Sequence, residues 1–223
     1  MIRSADIDAL AKAARDIQAA QGNYIEEDFV MNLQETVLDY QMSTTAVVRA
    51  LHHYRDNRWD EIRTGDDLEQ AMAQFREDRE GNVALAQHLW GYDLWTRAQQ
   101  LRDLTAYFRK IGVTDQASLK RWAKSSDFKR DFEGRVRGLG IAVYNWLVMR
   151  QGVDTVKPDV HVRRFAEGAV GRPLNDREVV DVVVAAAHQL GRKAYELDWA
   201  IWEASRGGPL EHPGGEVMPA PSD

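Results

Sequence analysis

The stretch RVRGLGIAVYNWLVMRQGVDTVKPDVHVRRF, from Arg135 to Phe165, decides how the rest of the chain is interpreted. It opens with a glycine hairpin, Gly138-Leu139-Gly140, which precedes an apolar run from Ile141 to Met149. The two glycines permit positive φ, and a glycine turn before a helix offers backbone N–H groups to an anion such as phosphate. Asp159 stands nineteen residues beyond Gly140, at the predicted start of another helix, where its carboxylate can lie close to that anion.

Length and composition bound the class of protein. At 223 residues, the chain can form one domain or two small lobes with a substantial core. It has no cysteine, which excludes disulfides, thiolate catalysis, cysteine-ligated zinc and iron–sulfur clusters. No apolar run approaches the roughly twenty residues of a membrane span, and the N-terminus has no long apolar segment. We therefore expect a soluble, intracellular protein with no membrane partner.

The formal net charge of −6 hides an uneven distribution. Between Arg97 and Arg164 there are fifteen Lys or Arg residues against seven Asp or Glu, which is a local charge of +8. Such an asymmetry indicates an interaction face for a polyanion, although charge runs in general are more often solvated helix surfaces. The coincidence of this basic stretch with the glycine hairpin favours the polyanion.

Hydrophobic periodicity predicts an all-α fold of nine to eleven helices, with no strand. Besides the helices of the opening stretch, we predict helices that run from an N-cap at Ser4 to before Gly22, over Glu26–Leu38, from Thr44 or Thr45 onward, over Thr64–Phe75, over Leu85–Phe108 as one helix or two separated at Gly91, over Ala117–Trp122, over Asn175–Leu190 and over Lys193–Ser205. Capping boxes support the starts at Thr64 and Asn175. Residues 207–223 hold four of the six prolines and no periodicity, which predicts a disordered tail.

The stretch from Val136 to Val162 resembles the helix-hairpin-helix/GPD superfamily of DNA glycosylases, which includes endonuclease III and the adenine glycosylase of mismatch repair. The family's hairpin has the form Leu-Pro-Gly-Val-Gly, and Val136-Arg137-Gly138-Leu139-Gly140 stands at that place. Asp159-Val160-His161-Val162 is similar to the family's Asp-Thr-His-Val. Upstream, Leu38 to Thr45 resembles the segment whose Gln, here Gln41, enters the space left by a flipped base. The resemblance covers about residues 25–205.

The resemblance implies an all-α fold of two helical lobes, with a helix-hairpin-helix motif and a cleft between the lobes that holds the catalytic Asp. A central lobe would span residues 25–144 and end in the hairpin. A second, discontinuous lobe would combine residues 1–24 with 145–206 and carry Asp159, leaving 207–223 as the tail. The implied partner is double-stranded DNA with a damaged or mismatched base, bound by a monomer that is cytoplasmic and associated with the nucleoid.

The resemblance also implies a set of site residues. Asp159 is the catalytic carboxylate, which stabilises the developing sugar cation or activates water. DNA contacts are implied for Arg135, Arg137, Gly138, Leu139, Gly140, Ile141, Ala142, Gln41, Lys157 and His161. Main-chain carbonyls of Gly134, Val136 and Leu139 would hold a structural Na⁺ or K⁺, and no further cofactor is required.

Ala142 departs from the pattern of the bifunctional family members, which carry a Schiff-base lysine at this position. Without an amine, attack on the sugar must come from water, and the DNA strand stays whole. Lys157 is an alternative amine, but we interpret it as a phosphate-binding or exposed residue. Pro158 before the Asp and Arg137 at the family's Pro are further departures.

Each motif also has a purely structural interpretation. The hairpin can be an ordinary helix–helix turn, Asp159 an N-cap after Pro158, and Gln41 a polar residue at a helix end. The sequence therefore leaves two hypotheses besides the glycosylase. One is a catalytically inactive DNA-binding module on the same scaffold, and the other is a protein-interaction module whose basic face binds an acidic partner.

Overall fold

A computed structural model describes residues 2–18 and 24–206 of the chain. These residues form twelve helices and no strand, so the all-α prediction is confirmed. The eleven α-helices and one short π-helix are, in chain order, α1 (Ser4–Ala14), α2 (Phe29–Leu38), α3 (Thr44–Arg58), α4 (Gly65–Ala73), α5 (Arg79–Trp90), α6 (Trp95–Lys110), α7 (Gln116–Ser125), the π-helix (Phe128–Phe132), α8 (Ile141–Met149), α9 (Val160–Val170), α10 (Asp176–Gln189) and α11 (Ala194–Arg206). The tail predicted over 207–223 lies outside the described residues. The first helix, expected to run to before Gly22, ends at Ala14, and a turn bond from the Ile17 amide to the Ala14 carbonyl at 3.2 Å follows it.

Several helix boundaries follow from local capping, as predicted. The Asn175 side chain accepts a bond from the Glu178 amide at 3.0 Å, and Glu178 accepts one from the Asn175 amide at 3.2 Å. Thr64 and Asp67 form the same reciprocal arrangement before α4. Because these side chains satisfy amides that the first turn leaves unbonded, they fix where each helix begins.

Several boundaries differ from the sequence prediction. For example, α2 begins at Phe29 and not at Glu26, because Asp28 caps it. The region Leu85–Phe108 is two helices, separated by Gly91 in a left-handed conformation, and the first of them begins earlier, at Arg79. The reason is Asp78, whose side chain accepts a bond from the Gly81 amide and caps α5. The first helix already includes Ser4, so Ser4 is not its N-cap. The π-helix before the hairpin had no periodicity to reveal it.

The described chain divides into two compact units by its internal contacts. The central unit is Glu26–Leu147 and contains α2 to α7, the π-helix and most of α8. The terminal unit takes the described residues within Met1–Ile25 and Val148–Asp223, and contains α1, α9, α10 and α11. Each unit buries its own apolar side chains.

In the central unit, α6 packs against α5 and α2. Trp90 and Phe108 are fully buried there, and the Trp90 indole N–H donates to the Gln34 side chain at 2.8 Å. In the terminal unit, α1 packs on α9 and α10, and α11 packs on α9 and α10. Leu10, Val182 and Leu197 are among its fully buried side chains.

Among the described helices, none combines the length and the apolar character that crossing a bilayer requires.

Candidate nucleic-acid interface and active site

The glycine turn lies between the π-helix and α8, and its two glycines differ. Gly138 has φ 84°, and a Cβ added there would lie 2.9 Å from Nε2 of Gln100. Glycine is therefore favoured at 138 chiefly by its left-handed conformation, while a Cβ would also displace the end of the Gln100 side chain. Gly140 does not have positive φ, and a Cβ there would meet no atom within 4 Å. Only Gly138 therefore uses the freedom of glycine to adopt positive φ, and Gly140 acts as the residue flanking α8.

The N-terminus of α8 follows this turn directly, after the exposed Gly140. The Gly140 carbonyl accepts the first helical bond, from the Tyr144 amide at 3.0 Å. Ile141 and Ala142 form the first turn and are half-buried. The amides of a first turn have no partner within their own helix, so they can donate to an anion such as phosphate.

The residues that were expected to supply carbonyls to a monovalent cation precede α8. Val136 and Leu139 have buried side chains, and the Leu139 amide donates to the Val136 carbonyl at 3.2 Å. Gly134 is left-handed, with φ 72°. These positions form one tight turn, and the cation site itself stays a prediction.

The central unit carries exposed cations, and two of them, Arg135 and Arg137, adjoin the turn in the chain. Six of them form no ion pair within the described part of the chain, namely Lys110, Arg121, Lys124, Lys129, Arg135 and Arg137. Other cations of the basic stretch form ion pairs within the protein. Arg109 pairs with Asp66 at 2.8 Å and with Glu69 at 2.7 Å, and Arg130 pairs with Asp131 at 2.7 Å. The positive excess counted in the sequence is therefore only partly available to a partner.

Two of these cations line a groove of about 400 Å³, which is also lined by the ion pair of Arg130 with Asp131. Lys110 and Arg135 line it together with the aromatic rings of Tyr107 and Trp122. The groove thus combines cationic and aromatic walls, and these are the two surface types that contact phosphates and bases in nucleic-acid complexes.

The loop that carries Gln41 is held against the same turn by α6. Gln41 is exposed and has φ 57°, a left-handed conformation that non-glycine residues rarely adopt. Arg97 donates to the Tyr40 carbonyl, and its guanidinium lies 4.9 Å from the centre of the Tyr40 ring. One turn later, Gln100 donates to the Arg137 carbonyl at 3.2 Å. The structure therefore brings together two segments that the sequence singled out separately.

Asp159 lies in the terminal unit and caps α9, as its structural interpretation predicted. Its Oδ1 accepts bonds from the amides of His161 at 2.8 Å and Val162 at 3.0 Å. Its Oδ2 has no hydrogen bond within the described residues, and the side chain is only half-buried. One oxygen thus fixes the orientation of the carboxylate, while the other is available to a cation or a water molecule.

A second carboxyl group, Asp198 on α11, lies in the same unit and was not found from the sequence. It is 4% exposed, and its Oδ1 accepts a bond from the Lys157 amide at 2.8 Å. The Tyr24 hydroxyl donates to its Oδ2 at 3.5 Å. Burial, reinforced by the negative charge of Asp159, raises the pKa of Asp198 well above its usual range.

The aromatic side chains around this acid pack in the core of the terminal unit. The Tyr24 ring stacks on Trp199, with ring centres 4.6 Å apart. Burial raises the pKa of Tyr24 well above its usual range, so its hydroxyl remains a donor. Trp199 is therefore a packing residue, since its side chain is 4% exposed.

The two other site residues expected in this unit flank Asp159. His161 Nδ1 lies 2.8 Å from Ser205 Oγ, and its ring meets the edge of Trp202. Lys157 is half-buried and supplies the amide that Asp198 accepts. Within residues 2–18 and 24–206, no three His, Asp or Glu side chains cluster as metal ligands would.

The comparisons with known proteins give one match. The model of one family, a domain of unknown function (DUF8548), matches residues 29–206. No curated protein and no solved structure matches the chain.

Proposed function

The chain belongs to the DUF8548 family, and we propose that it is a monofunctional DNA glycosylase of base excision repair. It would flip a damaged or mismatched base out of double-stranded DNA and hydrolyse the N-glycosidic bond. The proposal includes the two-lobed helix-hairpin-helix architecture of that superfamily. The observation that supports it is the geometry of the Asp159 carboxylate. Two backbone amides orient one of its oxygens, and the other oxygen accepts no hydrogen bond within the described residues.

This carboxylate suits a reaction in which positive charge develops on a sugar. As the base leaves, the deoxyribose becomes cationic, and a fixed anion lowers the energy of that state without reorganising. Oδ1 of Asp159 is held at 2.8 and 3.0 Å by backbone amides, so the free Oδ2 cannot swing away. Oδ2 then either faces the cation or accepts a proton from the attacking water.

Ala142 makes water the nucleophile in this proposal. Its methyl group stands in the first turn of α8, where the bifunctional glycosylases that the sequence resembles carry a lysine. Without an imine to the sugar there is no β-elimination, and the product is an intact strand with an abasic site. Borohydride should then trap no covalent protein–DNA adduct, with Lys157→Ala as the control for an amine elsewhere.

The central unit would supply binding. The amides of Ile141 and Ala142 and the six unpaired cations are suited to a DNA backbone. Gln41 would fill the duplex where the base has left, a step whose cost is lowest for weak or damaged pairs. Its left-handed backbone supports such a role, because strained residues persist where the surrounding structure imposes them and cluster at functional sites.

A binding module without chemistry is the second candidate. Ala142, Pro158 and the acidic net charge of −6 all allow a scaffold that has lost its activity. A salt titration of duplex binding tests this surface separately from chemistry. Phosphate contacts give a steep linear fall of log K with log salt, whereas an absence of binding at low salt removes both DNA-based functions.

The decisive experiment is a panel of duplex oligonucleotides, each with one lesion or mispair, incubated with excess protein and scored for alkali-labile abasic sites. We expect cleavage of at least one substrate after alkali and none before it. Asp159→Asn is the matched control, because it keeps an oxygen acceptor for the α9 amides while removing the charge. If every substrate survives the wild-type protein but binds it, the binding module replaces the enzyme.

A further inference from the structure

Asp198 has no part in the proposed reaction, and its position in the terminal unit demands a reason. An ionisable group at 4% exposure is costly to keep unless it is neutral or paired. Asp198 forms no ion pair within the described chain, and its closest polar contacts are the Lys157 amide at 2.8 Å and the Tyr24 hydroxyl at 3.5 Å. Both contacts donate to it, and neither brings a formal charge.

The bond to Lys157 fixes the backbone two residues before Asp159. The next bond along the chain is local, from the Asp159 amide to the Lys157 carbonyl at 2.7 Å. A second tie holds the same segment further upstream, where Oδ1 of Asp154 accepts from the Ala194 amide at 2.7 Å. The segment 154–159 is therefore fastened to α11 at two points, and the point nearer Asp159 is made by Asp198.

The charges that face this pocket favour the uncharged acid. Asp159 adds negative charge, and Glu203 adds negative charge around Tyr24. The side chain of Lys157 acts in the opposite sense, but burial is the largest influence on Asp198 and outweighs it. Two neighbouring carboxyl groups carry one negative charge more readily than two, because the first charge repels the second.

We propose that Asp198 is a positioning residue for Asp159: from its buried place on α11, its Oδ1 accepts a bond from the Lys157 amide and thereby sets the backbone that presents the Asp159 carboxylate. Burial and the neighbouring Asp159 carboxylate favour the neutral acid in this role. Only the catalytic half of this inference rests on the proposed glycosylase function. The uncharged state of Asp198 and its tie to Lys157 are properties of the fold, and they can be tested without DNA.

The first experiment measures the unfolding of the full chain from pH 5 to pH 9, for wild type and Asp198→Asn. A carboxyl whose folded pKa is raised contributes stability that is complete below its unfolded pKa and is lost as pH rises through the folded pKa. Each pH unit in this window lowers the folding equilibrium constant about tenfold through this group alone. The asparagine variant keeps the acceptor and cannot ionise, so its advantage over wild type should grow with pH.

The control for this experiment is Asp154→Asn, which alters the other tie of the same segment. Asp154 is more exposed and also faces His188 at 3.0 Å. We expect this variant to lose stability while keeping the wild-type slope between pH 7 and pH 9. A constant difference between wild type and Asp198→Asn across the whole range would overturn the inference, because Asp198 would then be ionised in the folded protein.

The second experiment compares Asp198→Asn with Asp198→Leu in base release and in DNA affinity. Leucine has a similar shape but leaves the Lys157 amide without its acceptor, and a misplacement of about 1 Å can lower a rate about 100-fold. We expect that loss in the rate constant with little change in affinity, and its rescue by asparagine. An active leucine variant, or an asparagine variant as inactive as Asp159→Asn, contradicts the positioning role. If wild type releases no base at all, the proposed function fails, and the pH experiment still decides the state of Asp198.

Discussion

The glycine turn of the central unit and the Asp159 segment of the terminal unit both end at a helix N-terminus, yet they are built in opposite ways. At the turn, the exposed Arg135 and Arg137 precede the start of α8, and Gly138 supplies the left-handed backbone. At Asp159, a carboxylate already occupies the helix amides, and a buried acid holds the chain behind it. The first arrangement is suited to binding a large polyanion, and the second is suited to holding one carboxylate oxygen in a fixed position.

This difference shows that the effect of a charged side chain depends on whether it is exposed to solvent or held by the protein. Exposed charges interact through water, so each contributes little and salt screens it. A buried or backbone-bonded charge is oriented and poorly screened, so that one substitution has a large effect. We therefore expect substitutions in the two regions to separate into changes of affinity and changes of rate.

The largest effect should come from Asp159→Asn. The variant keeps the cap of α9 but loses the negative charge that would stabilise the sugar cation. We therefore expect the rate of base release to fall by about 100- to 1,000-fold. Single-turnover rates on a cleaved oligonucleotide measure this, beside affinity by fluorescence anisotropy. An equal loss of affinity and rate would mean that Asp159 serves folding or binding. The two regions would then not separate into one for binding and one for chemistry.

A smaller effect, on affinity, should follow removal of two cations at the turn. Arg135→Ala with Arg137→Ala should weaken duplex binding about tenfold at moderate salt and reduce the slope of log K against log salt by about 2. The matched control is Arg109→Gln, because Arg109 is exposed but engaged with Asp66 and Glu69. A control variant that lowers the slope as much would show that the two kinds of cation do not differ.

The two glycines of the turn provide a test of stability. Gly138→Ala should lower the free energy of unfolding by about 2 kcal/mol, since it combines positive φ with a contact at 2.9 Å to Gln100. Gly140→Ala should stay within about 0.5 kcal/mol, because an alanine fits there. Urea denaturation of the full chain measures both. Equal losses in the two variants would contradict the assignment of the strained position.

The smallest effect is expected at Gln41. Gln41→Gly relieves the left-handed strain but adds flexibility to the unfolded chain, so stability should rise by about 0.5 kcal/mol. Base release should fall, because glycine cannot fill the gap in the duplex. Gln74→Gly is the control, since Gln74 has φ −73° at the end of α4 and gains nothing from glycine. A Gln41 variant with higher stability and unchanged activity would leave the strain without a functional role.

The sequence predicted those parts of the fold and site that depend on near neighbours in the chain. The caps at Thr64, Asn175 and Asp159 involve residues two or three positions apart, and all three are present. Asp198 gave no such signal, because its partners Lys157 and Tyr24 are 41 and 174 positions away. A polar residue between Leu197 and Trp199 gives no indication of its burial. Whether a cation is free or paired is equally non-local, as the pair of Arg109 with Asp66 shows.

The contacts made by α6 have a consequence for how this surface can change. Arg97 bonds the loop of Gln41 through Tyr40, Gln100 bonds the turn of Gly138 through Arg137, and the two side chains bond each other at 2.9 Å. Residues that share partners show interaction energies of about 0.5–3 kcal/mol in double-mutant cycles. Substitutions in the two loops should therefore be epistatic, and their sequences are expected to vary together, with α6 setting which pairs are tolerated.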